Sequence, residues 1–313
     1  MNFFDLHCDT LYRALNENKN LYENDLHISL KKARKYDCYL GCFAVWIPDE
    51  FRGENAIKLF NCAKDKLFFE HARNSEKFSI CRCAEDMEDV NQTEKDTGII
   101  LTVEGGAVLA GDIENVEYLR KSGVRVMTLT WNGRCEVGDG VGVADAKGIS
   151  DFGKKTVKKM EEVGIVVDVS HASERLFYDV CEIAEKPFIA THSNSKKVCP
   201  HRRNLTDEQF EIIAERGGIV GINFCKDFLS DGHSACLDDI IKHAEHFLEI
   251  GGENTITLGS DFDGCDVPDE IAGIEYVENL YEYFLKKNYN QNLVDKIFFD
   301  NAYNFMVDNL EQR

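Results

Sequence analysis

The chain has 313 residues, 43% of them hydrophobic and 29% charged, the make-up of a folded soluble protein large enough to bury a substantial core. A net charge of -20 at pH 7 opposes nucleic-acid and anionic-membrane partners, both of which require clustered Lys and Arg. The twelve cysteines are scattered singly with no Cys-x-x-Cys pair, so free thiols in a reducing cytoplasm are expected rather than a disulfide framework or a zinc finger.

Taken in chain order, short runs rich in Val, Ile, Phe and Thr predict eight strands. The first, Phe3 to His7, leads into Cys8-Asp9-Thr10. Residues two apart in extended backbone share a face, so His7 and Asp9 converge while Cys8 points the other way, into packing. The second run, Gly41 to Ile47, precedes a predicted helix from Asn55 to Arg73. The third, Gly98 to Val103, ends in Glu104 and two glycines that let backbone come close to a ligand, and a helix from Ile113 to Lys121 follows. Val124 to Thr130 is the fourth run and passes into Trp131 and Asn132, ahead of a helix from Phe152 to Glu162.

The fifth run, Ile165 to Ser170, ends at His171, and the sixth, Phe188 to Thr191, at His192. Between them lies a helix from Ser173 to Ala184. A helix from Thr206 to Glu215 separates the sixth run from the seventh, Ile219 to Phe224. Both helices open on residues whose side-chain oxygens can cap the first amides, as in Thr206-Asp207-Glu208-Gln209. The helix Leu237 to Glu249 then leads to the eighth run, Thr255 to Gly259, which is followed by Asp261 and Asp263.

Strands alternating with helices around a parallel sheet predict a (β/α)8 TIM barrel. The usual size of about 250 residues leaves 275–313 as a C-terminal helical extension. No linker, low-complexity tract or repeat interrupts residues 1–313, so a single domain is expected. A doubly wound sheet would carry a glycine-rich phosphate loop after the first strand, and Cys8-Asp9-Thr10-Leu11 is not one. No apolar run approaches the roughly 18 residues of a membrane span. The start lacks the pattern of a secretory leader, and the polar end Asn309-Leu310-Glu311-Gln312-Arg313 predicts no anchor.

Barrel active sites form at the C-terminal strand ends, and here five of the eight runs end in His or a carboxylate: His7 with Asp9, Glu104, His171, His192 and Asp261. Imidazole and carboxylate are ligands that suit Zn2+. Three histidines and at least two acids exceed the needs of one open catalytic site. Two metals bridged by a carboxylate, roughly 3.5–4 Å apart, account for the surplus.

The segments Asp5-Leu6-His7-Cys8-Asp9-Thr10, Thr102-Val103-Glu104-Gly105-Gly106, Val167-Asp168-Val169-Ser170-His171, Thr191-His192-Ser193-Asn194 with Arg202-Arg203-Asn204, and Gly259-Ser260-Asp261-Phe262-Asp263-Gly264 occur in this order. Together they resemble the membrane (renal) dipeptidase family of zinc peptidases. The resemblance implies an amidohydrolase-like barrel, two zinc ions and hydrolysis of small dipeptides, with a homodimer as a further family expectation. It implies that His7 and Asp9 hold one zinc, His171 and His192 the other, and that Glu104 bridges them. It also gives Arg203 the substrate carboxylate and Asp261 the proton handling, with Arg202 and Asp263 as rivals for those roles. The family's animal members have a histidine where this chain has Trp131-Asn132. Trp131 donates through its indole N–H but does not titrate near neutrality, so Trp131 and Asn132 are candidate substrate-binding residues and oxyanion helpers.

Two other readings stay open at this point. The same metals would serve an amidohydrolase acting on another small amide, lactone or N-acyl amino acid, and a silent peptide- or metal-binding protein would lack a ligand. The remaining histidines, His27, His71, His201, His233, His243 and His246, are expected to be surface or structural. His243 and His246, set among Lys242, Glu245 and Glu249, are expected on a solvated helix face.

Overall fold

The structure, a computed structural model, describes residues 1–92, 97–232 and 234–310. His233 and the last three residues of the C-terminal extension therefore lie outside the described residues.

Eight parallel strands are present: β1 (Asn2–Cys8), β2 (Cys38–Trp46), β3 (Ser79–Ile80), β4 (Thr97–Glu104), β5 (Val124–Thr128), β6 (Val166–Asp168), β7 (Val220–Ile222) and β8 (Ile256–Leu258). Seven of them run in the order β6-β5-β4-β2-β1-β8-β7, while β3 pairs with the start of β4. The predicted sixth run is too short to count as a strand, yet it closes the ring. Ile189 bridges Asp168 of β6 and Ala190 bridges Val220 of β7, both in parallel. The result is a (β/α)8 barrel whose sixth stave is a two-residue bridge, and β3 is an extra strand without a counterpart among the eight predicted runs.

The helices are α1 (Thr10–Asn16), α2 (Leu30–Ala33), α3 (Glu54–Arg73), α4 (Ala84–Gln92), α5 (Glu114–Lys121), α6 (Asp151–Val163), α7 (Glu174–Ile183), α8 (Asp207–Glu215), α9 (Lys226–Leu229), α10 (Leu237–Glu249), α11 (Val277–Lys286), α12 (Gln291–Asp295) and α13 (Asn301–Asn309). All six predicted helices are present within a residue or two of their predicted ends. Cap chemistry fixes three of the starts: Ser150, Ser173 and Thr206 each accept a first-turn amide, and Gln209 completes a capping box. The unpredicted α1, α2, α4 and α9 are short, and the apolar spacing of so few residues sets no helical period. Among the described residues no helix is long and apolar enough to cross a membrane.

The apolar residues fall into two clusters. The smaller takes Phe4 and Leu6 from β1, Leu40 and Cys42 from β2, Ile100 from β4, Val126 from β5, Val166 from β6, and Ile189. Side chains from so many staves meet only inside the barrel. Phe299, with Ala302, Phe305 and Met306 of α13, joins this cluster, so the C-terminal extension plugs the end opposite the catalytic face. The larger cluster lies between the barrel and its surrounding helices.

One irregularity positions the site. Between Asp5 and Cys8 the register of β1 on β2 slips by a residue. The slip lets His7 follow Leu6 on the inward side, where strict alternation would have turned it outward. Cys8 then faces out into the larger apolar cluster, as expected for a packing residue.

Candidate metal centre

Every candidate ligand arrives from a C-terminal strand end. His7 is next to last in β1, and Asp9 takes the N-cap position of α1. Glu104 is the last residue of β4, while His171, His192 and Asp261 follow β6, the Ile189–Ala190 bridge and β8. His171 and Asp261 both have positive φ, 63° and 60°, in a region that non-glycine residues rarely adopt. Such strain persists where surrounding structure enforces it, commonly at functional sites. For Asp261 the enforcing contacts are visible: its amide donates to the His7 carbonyl at 3.0 Å, and the preceding Ser260 donates from N and Oγ to Asp5. Burial pushes the Asp5 carboxyl up to about 7, against those hydrogen bonds.

The donor atoms converge. Glu104 Oε1 lies 2.8 Å from His171 Nε2 and 3.4 Å from His192 Nε2, while Oε2 faces His7 Nε2 at 3.9 Å. The two carboxylate oxygens thus address two groups of ligands. His7, Asp9 and Asp261 bring donor atoms within 4.8 Å of one another, as do His7, Glu104 and His192.

The two tautomers can be read from neighbouring bonds. His171 Nδ1 donates to Asn132 Oδ1 at 2.9 Å, which leaves a lone pair on Nε2. Thr191 Oγ1 spends its only hydrogen on Asp168 Oδ2, so His192 Nδ1 must donate to that hydroxyl, and its Nε2 is also a lone pair. These two Nε2 atoms stand 2.9 Å apart. Two lone pairs at that separation, with a carboxylate oxygen beside both, repel one another unless a cation lies among them.

Orphaned polar atoms say the same. His7 Nε2 and Asp9 Oδ1 are buried with no hydrogen-bond partner among the described residues. Burial pushes Glu104 well above the usual carboxylate range, with the Asp9 and Asp261 charges adding to it against His7. Burial likewise lifts Asp9 to about 6. It would push His7 down, but the Glu104, Asp9 and Asp261 carboxylates prevail and raise it to about 10. His171 and His192 are held well below the ordinary imidazole value by burial, with Arg203 and His7 adding to it. A bound divalent cation would favour the deprotonated acids and neutral imidazoles, so the residues present fit a metal.

Asp9, Glu104, His171 and Asp261 border a cavity of 270 Å3 whose walls include Tyr12, Trp46, Trp131, Asn132 and Phe228. Trp46 meets Tyr12 and Trp131 edge-on at 5.0 and 4.9 Å, an aromatic part of the wall. Asn132 also has a part in ordering the centre, because its carbonyl oxygen fixes the His171 tautomer. Arg203 is buried, donates to the His192 carbonyl at 3.0 Å, and leaves Nε without a partner. Arg202 is exposed. Asp263 is taken up by Thr10, the His27 amide and the Ile28 amide, so it ties two loops together.

Sequence reasoning missed three contributors. Asn223 donates to Asp261 Oδ2 at 2.9 Å, Asp168 gathers Thr128, Ser170 and Thr191 beneath the histidines, and Gly264 packs where a Cβ would strike the Asp9 and Asp261 carboxylates. Asn223 sits inside the seventh predicted run, where an uncharged amide was the available signal. One expectation is corrected: His243 is not on a solvated face but fully buried, accepting from the Ser195 amide and facing the Leu229 carbonyl at 3.1 Å. His246 pairs with Asp207 at 2.7 Å.

The chain is 32% identical over 240 residues to an uncharacterised protein encoded in the pqqA 5′ region of Klebsiella pneumoniae, covering 74% of this chain and 88% of that one. Two crystal structures superpose along nearly their full length. The dipeptidase AC, a metallopeptidase of family M19, is 26% identical with a TM-score of 0.92, and 99% of each chain is covered. A metallopeptidase from Rhodobacter sphaeroides, bound to a phosphinate mimic of the dipeptide L-Ala-D-Ala, is 25% identical with a TM-score of 0.91 and the same coverage. With the membrane dipeptidase family model, peptidase family M19, matching residues 1–311, the chain belongs to that family and is a metallo-dipeptidase, a hydrolase of the peptide bond.

Proposed function

We propose that the protein cleaves free dipeptides, including those with a C-terminal D-residue, with two zinc ions at the centre, one held by His7 and Asp9, the other by His171 and His192, and both by Glu104. The observation that carries the two-ion reading is the division of Glu104, with Oε1 toward His171 and His192 and Oε2 toward His7. The inclusion of D-residues is supported by the Rhodobacter relative, which holds a mimic of L-Ala-D-Ala. When bound, such ions lower the pKa of water and polarise the substrate carbonyl.

The protein's own residues supply the rest. Asp261 has Oδ2 occupied by Asn223, which leaves Oδ1 to accept a proton from the attacking water and pass it to the leaving amine. Arg203 offers its guanidinium to the substrate's terminal carboxylate, a planar match for a planar anion. Trp131 closes the cavity beside the metal ligands and helps to orient the carbonyl. Acids at one end and Arg203 at the other match the two charged ends of a free dipeptide, so both are gripped at once.

Two variants test this. Glu104→Gln is expected to lower bound metal, read by elemental analysis, and to reduce dipeptide turnover at least about a hundredfold. Unchanged metal content and turnover would refute the bridged pair. Arg203→Ala should raise KM for free dipeptides far more than for C-terminally amidated ones, and equal effects on both would remove Arg203 from carboxylate binding.

A further inference from the structure

Arg203 does not line the 270 Å3 cavity bordered by Asp9, Glu104, His171 and Asp261. It lines a neighbouring cavity of 480 Å3, and His171 is the residue that borders both. This second cavity is cationic within a chain of net charge -20. Lys196, Arg202 and Arg203 line it, and none of the three is in an ion pair with a carboxylate among the described residues. Arg175, also on its wall, is neutralised by Asp179 at 2.9 Å. Glu174 is the one acid in the lining. Arg203 itself is 6% exposed, with Nε unfilled. A buried guanidinium with a spare donor, in one cavity wall with two unpaired cations, adds up to more positive charge than one carboxylate neutralises.

We propose that this cavity receives the side chain of the substrate's C-terminal residue and selects an acidic one, aspartate or glutamate, with Lys196 and Arg202 as its counter-charges. The proposal rests on the dipeptidase reading, in which Arg203 takes the α-carboxylate. With the scissile carbonyl on the Glu104 side of His171 and the α-carboxylate at Arg203, the C-terminal residue passes the His171 wall and its side chain enters the cationic cavity. Two solvent-accessible ion pairs, each modest alone, multiply to about a tenfold preference.

The test compares kcat/KM of the metal-loaded enzyme on dipeptides that share an N-terminal residue and end in Asp, Asn, Ala or Lys. Asp is expected to exceed Asn about tenfold, with the ratio shrinking in high salt. The double reversal K196E/R202E is expected to bring that ratio to one or below and to raise kcat/KM for the Lys peptide. Such a gain cannot come from misfolding. As a second readout, calorimetry on the metal-free protein should show free aspartate binding more tightly than asparagine, and the double variant should lose the difference. An Asp to Asn ratio near one, or a ratio the reversal leaves unmoved, overturns the pocket while cleavage of the Ala peptide upholds the dipeptidase. Failure to cleave any dipeptide overturns the dipeptidase reading, and this proposal with it.

Discussion

At the scale of single residues, the centre depends on groups that act through the candidate ligands. Asn132 sets the His171 tautomer, Thr191 sets that of His192 under the control of Asp168, and Asn223 orients Asp261. These are outer partners of the kind that align metal ligands and general bases. Asn223 lines neither cavity, so its loss should act on chemistry rather than binding. Asn223→Ala is therefore expected to lower kcat by about tenfold to a hundredfold, the worth of one hydrogen bond to a charged group, with KM nearly unchanged in steady-state kinetics. The candidate ligands could be picked out in the chain because His and carboxylate at strand ends is an uncommon choice with a chemical reason. Their supporting partners were not, because Asn, Thr and Gly are common everywhere and act here only through neighbours distant in sequence. Gly264, 255 residues from Asp9, is a case in point: the close approach of two carboxylates demands it.

At the scale of elements, long helices with caps and strands with continuous apolar runs were readable, since each satisfies its own hydrogen bonds or displays its own period. The sixth stave was recognised from Phe188 to Thr191, although only Ile189 and Ala190 pair. The slip in β1 was invisible, for it arises from pairing with β2 and not from any residue of β1. The role of the extension was also hidden. Its helices were expected, but nothing local says that Phe305 and Met306 fill the closed end of the barrel. Met306 is fully buried there, so Met306→Ala should destabilise the fold by about 2–5 kcal/mol in denaturant unfolding, through lost apolar contact and the cavity left behind.

At the scale of the molecule, stability and charge are distributed unevenly. His243, on the buried face of α10 between the Ser195 amide and the Leu229 carbonyl, is depressed to about 4 by burial, against an ordinary value of 6.5. The unfolded chain therefore binds a proton between pH 6.5 and 4 that the folded chain refuses. Stability from this group is complete above pH 6.5 and is lost as the pH falls toward 4, by about 3 kcal/mol across that window. Urea unfolding of wild type and His243→Gln at pH 7 and pH 4 should show the wild type losing about that much more than the variant, because other titrating groups cancel in the comparison. The same unevenness places a cationic cavity beside an acidic metal centre in a strongly acidic protein.

Local order and chemistry were written along the chain: the alternation of strands and helices, the caps, and the ligand types at the strand ends each depend on near neighbours. The convergence of those ligands was decided by closure of the barrel. Closure brings residue 7 within reach of residues 104 and 261, and only at such distances do lone pairs repel, buried charges demand a counter-ion, and a spare guanidinium donor acquire a partner to wait for.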